Sequence, residues 1–192
     1  MEREILFTGI GGQGIQLAAR TLAEAAIADG RRAQLFSSYG GMMRGGNSDA
    51  FLVVADDAIT SPPVVGTAWA AVVMHHEHAA GVWPKLTESS LTLINRSVVA
   101  AECRPGTGAV VEIDALDIAT GLGAPVAASL VLIGALVGAT GVVSADALLD
   151  SAARVLPSYR AEAAAVNRRA LEAGLATTNL GHPAWSRAEV PS

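Results

Sequence analysis

Residues 5–10, Ile-Leu-Phe-Thr-Gly-Ile, form a short apolar run that passes at once into glycines and then into a helical pattern. No other feature narrows the fold as much. A short run of this kind reads as a strand buried on both faces, and such strands belong to parallel sheets covered by helices. Over 15–29, Ile15, Ala18, Ala19, Leu22 and Ala26 fall on one face of a helix. Gly30 is placed to end that helix in a left-handed conformation. The alternation then continues. Further strands are predicted at 33–37, 50–55, 70–74, 91–95 and 109–113, with a glycine-rich loop over 37–49 and a proline turn at Pro62 and Pro63. A helix is predicted at 75–86, with Pro84 as a break point. From 116 onward the pattern is helical. Ser144 is the expected N-cap of one helix, Pro157 separates it from the last, and Gly174 is the expected end of that last helix.

These elements predict an α/β chain with a mainly parallel sheet covered by helices on both faces. A single domain is expected over 1–176, with a loosely ordered polar tail at 177–192. Composition agrees: 51% of the residues are hydrophobic, only 16% are charged, and aromatics make up 4%. Alanine, valine and leucine supply the apolar content, which suits closely packed helices on buried strands.

Net charge and cysteine content exclude several functions. At −5, with 13 basic residues and no basic run, the chain lacks the means to displace phosphate counterions, so nucleic acid is not an expected partner. Cys103 is the one cysteine. It cannot form an internal disulfide or hold an iron–sulfur cluster. Residues 118–145 carry no charge, but glycines and Pro125 interrupt them and the strongly apolar part, 127–137, is short. A buried helix is expected there, and no membrane span. Glu2, Arg3 and Glu4 lead straight into the first strand with no signal-peptide pattern, so a cytoplasmic location is expected.

Two glycine-rich segments carry the functional signal. In the first, GIGGQGI at 9–15, Gly9, Gly11, Gly12 and Gly14 flank Gln13. Gly9, Gly11 and Gly14 satisfy G-x-G-x-x-G between a strand and a helix, which makes the expected domain Rossmann-like, of three layers. Glycines there admit an anion to the backbone, and the helix N-terminus offers unpaired N–H groups. The acid that anchors a dinucleotide's ribose is absent, because the second strand ends in Phe36-Ser37-Ser38. Two readings stay open: an anion cradle, or a tight strand–helix turn that binds nothing.

The second segment, SYGGMMRGG at 38–46, places Arg44 between glycine pairs as the only charge between Arg32 and Asp49. A guanidinium so placed can reach a phosphate or carboxylate. Ser38, Tyr39, Gly45 and Gly46 complete the candidate loop, and Met42 and Met43 add adaptable apolar contact. The alternative is a solvated loop with an incidental arginine.

Taken together, the two segments resemble the gamma subunit of the 2-oxoacid:acceptor oxidoreductases, which act on pyruvate, 2-oxoglutarate, indolepyruvate or arylglyoxylate. That family usually reads S-Y-G-P-E-M-R-G-G in the second loop, whereas this chain has Gly41-Met42 in place of Pro-Glu. The resemblance continues through Ile59-Thr60-Ser61-Pro62, Met74-His75-His76-Glu77, Leu132-Ile133-Gly134-Ala135-Leu136 and Asn167-Arg168-Arg169-Ala170-Leu171, and covers 4–174.

The resemblance implies a multi-subunit enzyme that oxidatively decarboxylates a 2-oxoacid with coenzyme A, giving an acyl-CoA, CO2 and two electrons. It implies thiamine diphosphate, Mg and 4Fe-4S clusters in partner subunits: alpha and beta thiamine-binding chains and a ferredoxin-like cluster chain. Coenzyme A would be a substrate at a subunit interface. Gly9, Gly11, Gly12, Gln13, Gly14, Ser38, Tyr39, Arg44, Gly45 and Gly46 are then the candidate binding residues, and Arg44 is the sole candidate for a catalytic role. This chain would be inactive alone.

Other classes weigh less. A stand-alone dinucleotide- or flavin-binding reductase conflicts with the missing ribose acid. A non-catalytic assembly subunit would use the loops only for packing. His75, His76 and His78 with Glu77 do not follow the H-E-x-x-H zinc spacing, so no metal is expected. No G-x-S-x-G elbow supports serine catalysis.

Overall fold

The computed structural model describes residues 1–39, 46–60, 66–178 and 181–185. Six strands build one sheet: β1 (Glu2–Ile10), β2 (Arg32–Tyr39), β3 (Asn47–Ala55), β4 (Ala68–Val73), β5 (Leu86–Asn95) and β6 (Ala109–Ile113). Their order is β2-β3-β1-β4-β5-β6. β1, β4, β5 and β6 are parallel, as the strand–helix alternation predicts. β3 is antiparallel and lies between β1 and β2. A continuously apolar strand reads the same in either direction, so nothing in 50–55 signals this reversal.

Five α-helices follow the same chain order: α1 (Ile15–Ala28), α2 (Ala115–Gly121), α3 (Ala128–Thr140), α4 (Ala145–Arg154) and α5 (Ala161–Leu175). Alternate strand residues sort onto two faces. Ile5, Phe7, Leu52, Val72 and Leu93 join the core built with the α-helices. Leu6, Ala71, Val73 and Ile94 turn to the other face, under the 3-10 turns His76–Gly81 and Trp83–Lys85. Helical segments therefore cover both faces, but unequally, with α-helices on one and short 3-10 turns on the other. The helix expected at 75–86 is replaced by those two turns. Pro84 has no N–H for a continuing α-helix and stands instead at the start of the second turn.

Two of the predicted helix ends hold, at Gly30 and Ser144. Gly30, at φ 78°, ends α1, and the Arg31 N–H donates back to the Ala26 carbonyl at 2.9 Å. Ser144 Oγ accepts the Ala147 N–H at 3.2 Å at the start of α4. The Asp29 carboxylate accepts from the Ser144 N–H and hydroxyl, which ties the end of α1 to the start of α4.

Helix α3 is buried on nearly every side, which explains the uncharged stretch around it. Thirteen residues span about 20 Å, well short of a bilayer core. No helix among the described residues is long and apolar enough to cross a membrane. Its partner is α5, and the two backbones meet at glycines. A Cβ on Gly134 would stand 2.4 Å from the Leu171 carbonyl oxygen, and one on Gly174 would stand 2.1 Å from that of Val131. Gly174 is therefore not the end of α5, as the sequence suggests. It sits within the helix, where only a missing side chain allows this approach.

The loop expected over 37–49 is shorter than predicted. Ser38 pairs with Asp49 and Tyr39 with Ser48, so both strands run further toward the hairpin. Ladder pairing overrides the glycine-rich local composition there. The tail is also more ordered than expected where it is described. The His182 N–H donates to the Ala139 carbonyl and the Ala184 N–H to that of Thr140. Ala184 is fully buried, and its carbonyl accepts from Arg3 Nε. Trp185 donates to the Val142 carbonyl and lies under the Arg31 guanidinium, 3.8 Å from the ring centre.

Two predictions follow from this packing. Gly174→Ala or Gly134→Ala should cost about 1–3 kcal/mol or more by overpacking. Gly121→Ala, where a Cβ meets nothing within 4 Å, should be close to neutral. Thermal unfolding of the three variants checks this. His182 is held below its usual imidazole value by burial, with the nearby Arg3 adding to the effect. As pH falls below about 6.5, the unfolded chain takes up a proton that the folded imidazole refuses, so stability declines on acidification. His182→Gln should flatten that decline in urea midpoints measured between pH 7.5 and 5.5.

Candidate functional site

The sheet order reverses between β1 and β4. The chain leaves β1 toward β2 on one side, and it reaches β5 and β6 on the other. The carboxyl ends of β1 and β4 therefore flank a crevice of the kind that takes ligands in open α/β sheets. The Met74 N–H donates to the Thr8 carbonyl at 2.9 Å and holds these ends together. GIGGQGI leaves β1 at this point.

Its glycines have different physical roles. Gly9 is a packing glycine: a Cβ there would lie 2.8 Å from Ile15 Cδ1 and 3.0 Å from Met74 Cβ. Gly12 has φ 101° with open space around it, so it serves the turn itself. Gly14, at φ 75°, is the N-cap of α1. It is covered by the start of α3, where Ser129 Oγ donates to its carbonyl at 3.2 Å. Gln13 closes the turn on itself, because its Oε1 accepts the Ile10 N–H at 3.0 Å. The first turn of α1 has no acidic residue and no side-chain cap, so the helix itself puts no carboxylate at the positive end of its dipole.

The two glycine-rich segments meet. The Gly11 N–H donates to the Gly46 carbonyl at 2.8 Å, so the base of the second loop rests on the first. The backbone of Ser38 and Tyr39 lies at the end of β2 on the same edge. Arg44 and Gly45, with 40–43, lie outside the described residues.

Asp49 was not identified from sequence, yet it organises this corner. The antiparallel β3 sets it opposite Thr8. Thr8 Oγ1 donates to one carboxylate oxygen at 2.8 Å, and the Asn47 amide donates to the other at 2.7 Å. Gln16 of α1 donates to the Asp49 carbonyl at 2.8 Å. In a dinucleotide-binding fold the strand after the first helix lies beside the first strand and its end presents an acid to the ribose. Here β3 separates β2 from β1, and the acid beside the glycine turn is already engaged on both oxygens. The topology thus adds to the case against a dinucleotide. The short polar run Asn47-Ser48-Asp49 is the only sequence trace of Asp49, and the glycines before it mask the strand.

The histidines form no comparable centre. His75 Nδ1 accepts the Glu77 N–H, capping the 3-10 turn, and its ring stacks on His76 at 4.5 Å. Burial, and then the adjacent His76, hold His75 below its usual value. Among the described residues no group of three His, Cys, Asp or Glu side chains stands close enough to hold a metal ion.

Comparison with known proteins places this geometry. A family profile described as Pyruvate ferredoxin/flavodoxin oxidoreductase matches residues 4–177. The chain is 34% identical over 157 residues to pyruvate synthase subunit PorC of Methanothermobacter marburgensis, covering 80% of this chain and 86% of the relative. It is 31% identical over 158 residues to 2-oxoglutarate synthase subunit KorC of Methanocaldococcus jannaschii, covering 79% and 84%. Among solved structures it is similar to the gamma subunit of a keto/oxoacid ferredoxin oxidoreductase from Geobacter sulfurreducens, with TM-score 0.76, 31% identity, and coverage of 92% of this chain and 95% of that one.

Removal of Asp49 should loosen the corner. Asp49→Ala leaves the Thr8 hydroxyl, which is buried, without its acceptor, and should cost about 1–3 kcal/mol in urea unfolding. Thr8→Val, which removes one donor but keeps the Asn47 contact, should cost less.

Proposed function

The chain belongs to the pyruvate ferredoxin/flavodoxin oxidoreductase family, and we propose that it is a gamma-type subunit whose two glycine loops line a coenzyme A path at the junction with thiamine-binding chains. It acts as one subunit of a 2-oxoacid oxidoreductase complex. The full reaction converts a 2-oxoacid and coenzyme A into an acyl-CoA, CO2 and two electrons. Thiamine diphosphate supplies the carbanion chemistry when bound, and iron–sulfur clusters take the electrons.

The residues of this chain do not fit those groups. With Cys103 as its one cysteine, it has no thiolate set for a cluster. The described residues contain no metal-binding group for Mg and a diphosphate. In this reading those groups are held by partner chains: alpha and beta thiamine-binding subunits and a ferredoxin-like cluster subunit. The site this chain does offer suits an anionic substrate that passes between subunits.

The observation that carries the reading is the contact between the loops. The Gly11 N–H and Gly46 carbonyl bond joins both segments at the carboxyl edge of β1, beside the uncapped N-terminus of α1. Backbone N–H groups and the helix dipole favour a phosphate there. Arg44, on the same loop as Gly46, would add a bidentate cation, with Tyr39 and Ser38 at its other end. The reductase alternative loses support because the acid nearest the glycine turn is occupied by Thr8 and Asn47.

Two outcomes are expected. The purified chain alone should not reduce a viologen dye, whereas coexpression with the thiamine- and cluster-binding partners should give 2-oxoacid- and coenzyme A-dependent reduction. Robust activity from the isolated chain would falsify the subunit assignment. In the assembled complex, Arg44→Ala should raise the KM for coenzyme A about tenfold or more with little change in the KM for the 2-oxoacid. Loss of assembly with unchanged kinetics in the remaining complex would assign Arg44 to packing instead.

A further inference from the structure

The rungs Thr8–Asp49, Gly9–Ser48 and Ile10–Asn47 close the β1–β3 ladder at the end where the glycine segments meet. The Gly11–Gly46 bond lies one step beyond the last of them. Ends of this kind open most easily, because few buried contacts support them. Elsewhere along these two strands apolar side chains give that support. Ile5, Phe7, Leu52 and Val54 do so on the face toward the α-helices, and Leu6 and Phe51 on the other.

At the glycine end the apolar support stops. There β3 carries Asn47-Ser48-Asp49, and Asn and Asp are poor strand residues. Local preference is overridden in this way chiefly at functional sites. One carboxylate replaces the missing apolar contacts. Its two oxygens accept from the Thr8 hydroxyl at 2.8 Å and the Asn47 amide at 2.7 Å, which ties β1 to the residue that follows Gly46. The Asp49 carbonyl accepts from Gln16 of α1 at 2.8 Å. The Thr8 carbonyl in turn accepts the Met74 N–H at the end of β4. Asp49 thus reaches β1 and α1 directly and β4 through Thr8, and these are the elements that converge on the crevice.

We propose that Asp49 is a positioning residue, which holds the root of the second glycine segment against the first through Asn47 and Thr8. It touches no reacting atom in this role. It keeps the Gly11–Gly46 bond made, and with it the arrangement of the two loops that receives the ligand. The kinetic consequence rests on the coenzyme A path proposed above.

The test uses the assembled complex and two readouts: the KM values, and hydrogen exchange at the Gly11 amide, followed in the peptide that spans the glycine turn. Asp49→Ala should speed that exchange and raise the KM for coenzyme A, each about tenfold, with the KM for the 2-oxoacid unchanged. Asp49→Asn should restore both to within about twofold, because an amide can still accept from Asn47 while donating to Thr8 Oγ1. Gly134→Ala, which strains the distant contact between α3 and α5, serves as the control for lost stability. It should lower the thermal midpoint and leave both readouts unchanged.

Unchanged Gly11 exchange in Asp49→Ala overturns the proposal. So does an equal rise in the KM for coenzyme A in Gly134→Ala, which would assign the effect to stability alone. If Arg44→Ala raises that KM and Asp49→Ala does not, the coenzyme A path stands and the positioning role falls. If neither variant raises it, the coenzyme A path falls, and the exchange at Gly11 alone decides whether Asp49 holds the junction.

Discussion

The antiparallel ladder between β1 and β3 sets the position of everything else at the candidate site. It runs the whole length of both strands, from Glu2 opposite Ala55 to Ile10 opposite Asn47. A shift of one residue would exchange the two faces of β3 and put Phe51 and Val53 where Leu52 and Val54 pack against the helices. Burial of Leu52 and Val54 against the helices therefore pins the register. Once the register is set, Asn47 and Ser48 must lie beside the glycine turn, Asp49 must face Thr8, and Gly46 must come within reach of Gly11. The junction of the loops is thus a consequence of hydrophobic burial six and eight residues further along the chain from Gly46.

The helical layer solves a different problem. Helix α3 has almost no polar face, so it has to be enclosed by the sheet, by α5 and by the chain that follows α5. Gly134 and Gly174 let α3 and α5 approach to backbone contact. The returning tail then caps the end of α3 through His182 and Ala184. Arg3 at the start of β1 reaches the Ala184 carbonyl and stands 5.2 Å from the Trp69 ring centre, so the tail is fastened to the sheet as well as to the helix. On the other face, among the described residues, short 3-10 turns stand where α-helices cover the first.

Much of this architecture was legible locally. Apolar runs located all six strands, Gly30 and Ser144 marked helix ends correctly, and the uncharged stretch at 118–145 was recognised as buried. The errors share a cause. Gly174 read as a terminator because glycine's local preference is to end helices, while its actual role depends on a helix some forty residues earlier. The loop at 37–49 was drawn too long because ladder partners are invisible to local composition. Asp49 was passed over because its two donors, Thr8 and Asn47, converge only through strand pairing.

The sequence by itself determined the α/β class, the order of the elements and, through GIGGQGI and SYGGMMRGG read as a pair, the family. Those properties reside in periodicity and in contiguous motifs, which the chain carries whatever its tertiary arrangement. Only the tertiary structure decided that β3 reverses between β1 and β2, that Gly9 and Gly14 serve packing and capping while Gly11 bonds Gly46, and that Asp49 turns the amide of Asn47 toward itself. Each of these depends on hydrogen bonds and contacts between residues far apart in the chain, and their energies are set by burial and register.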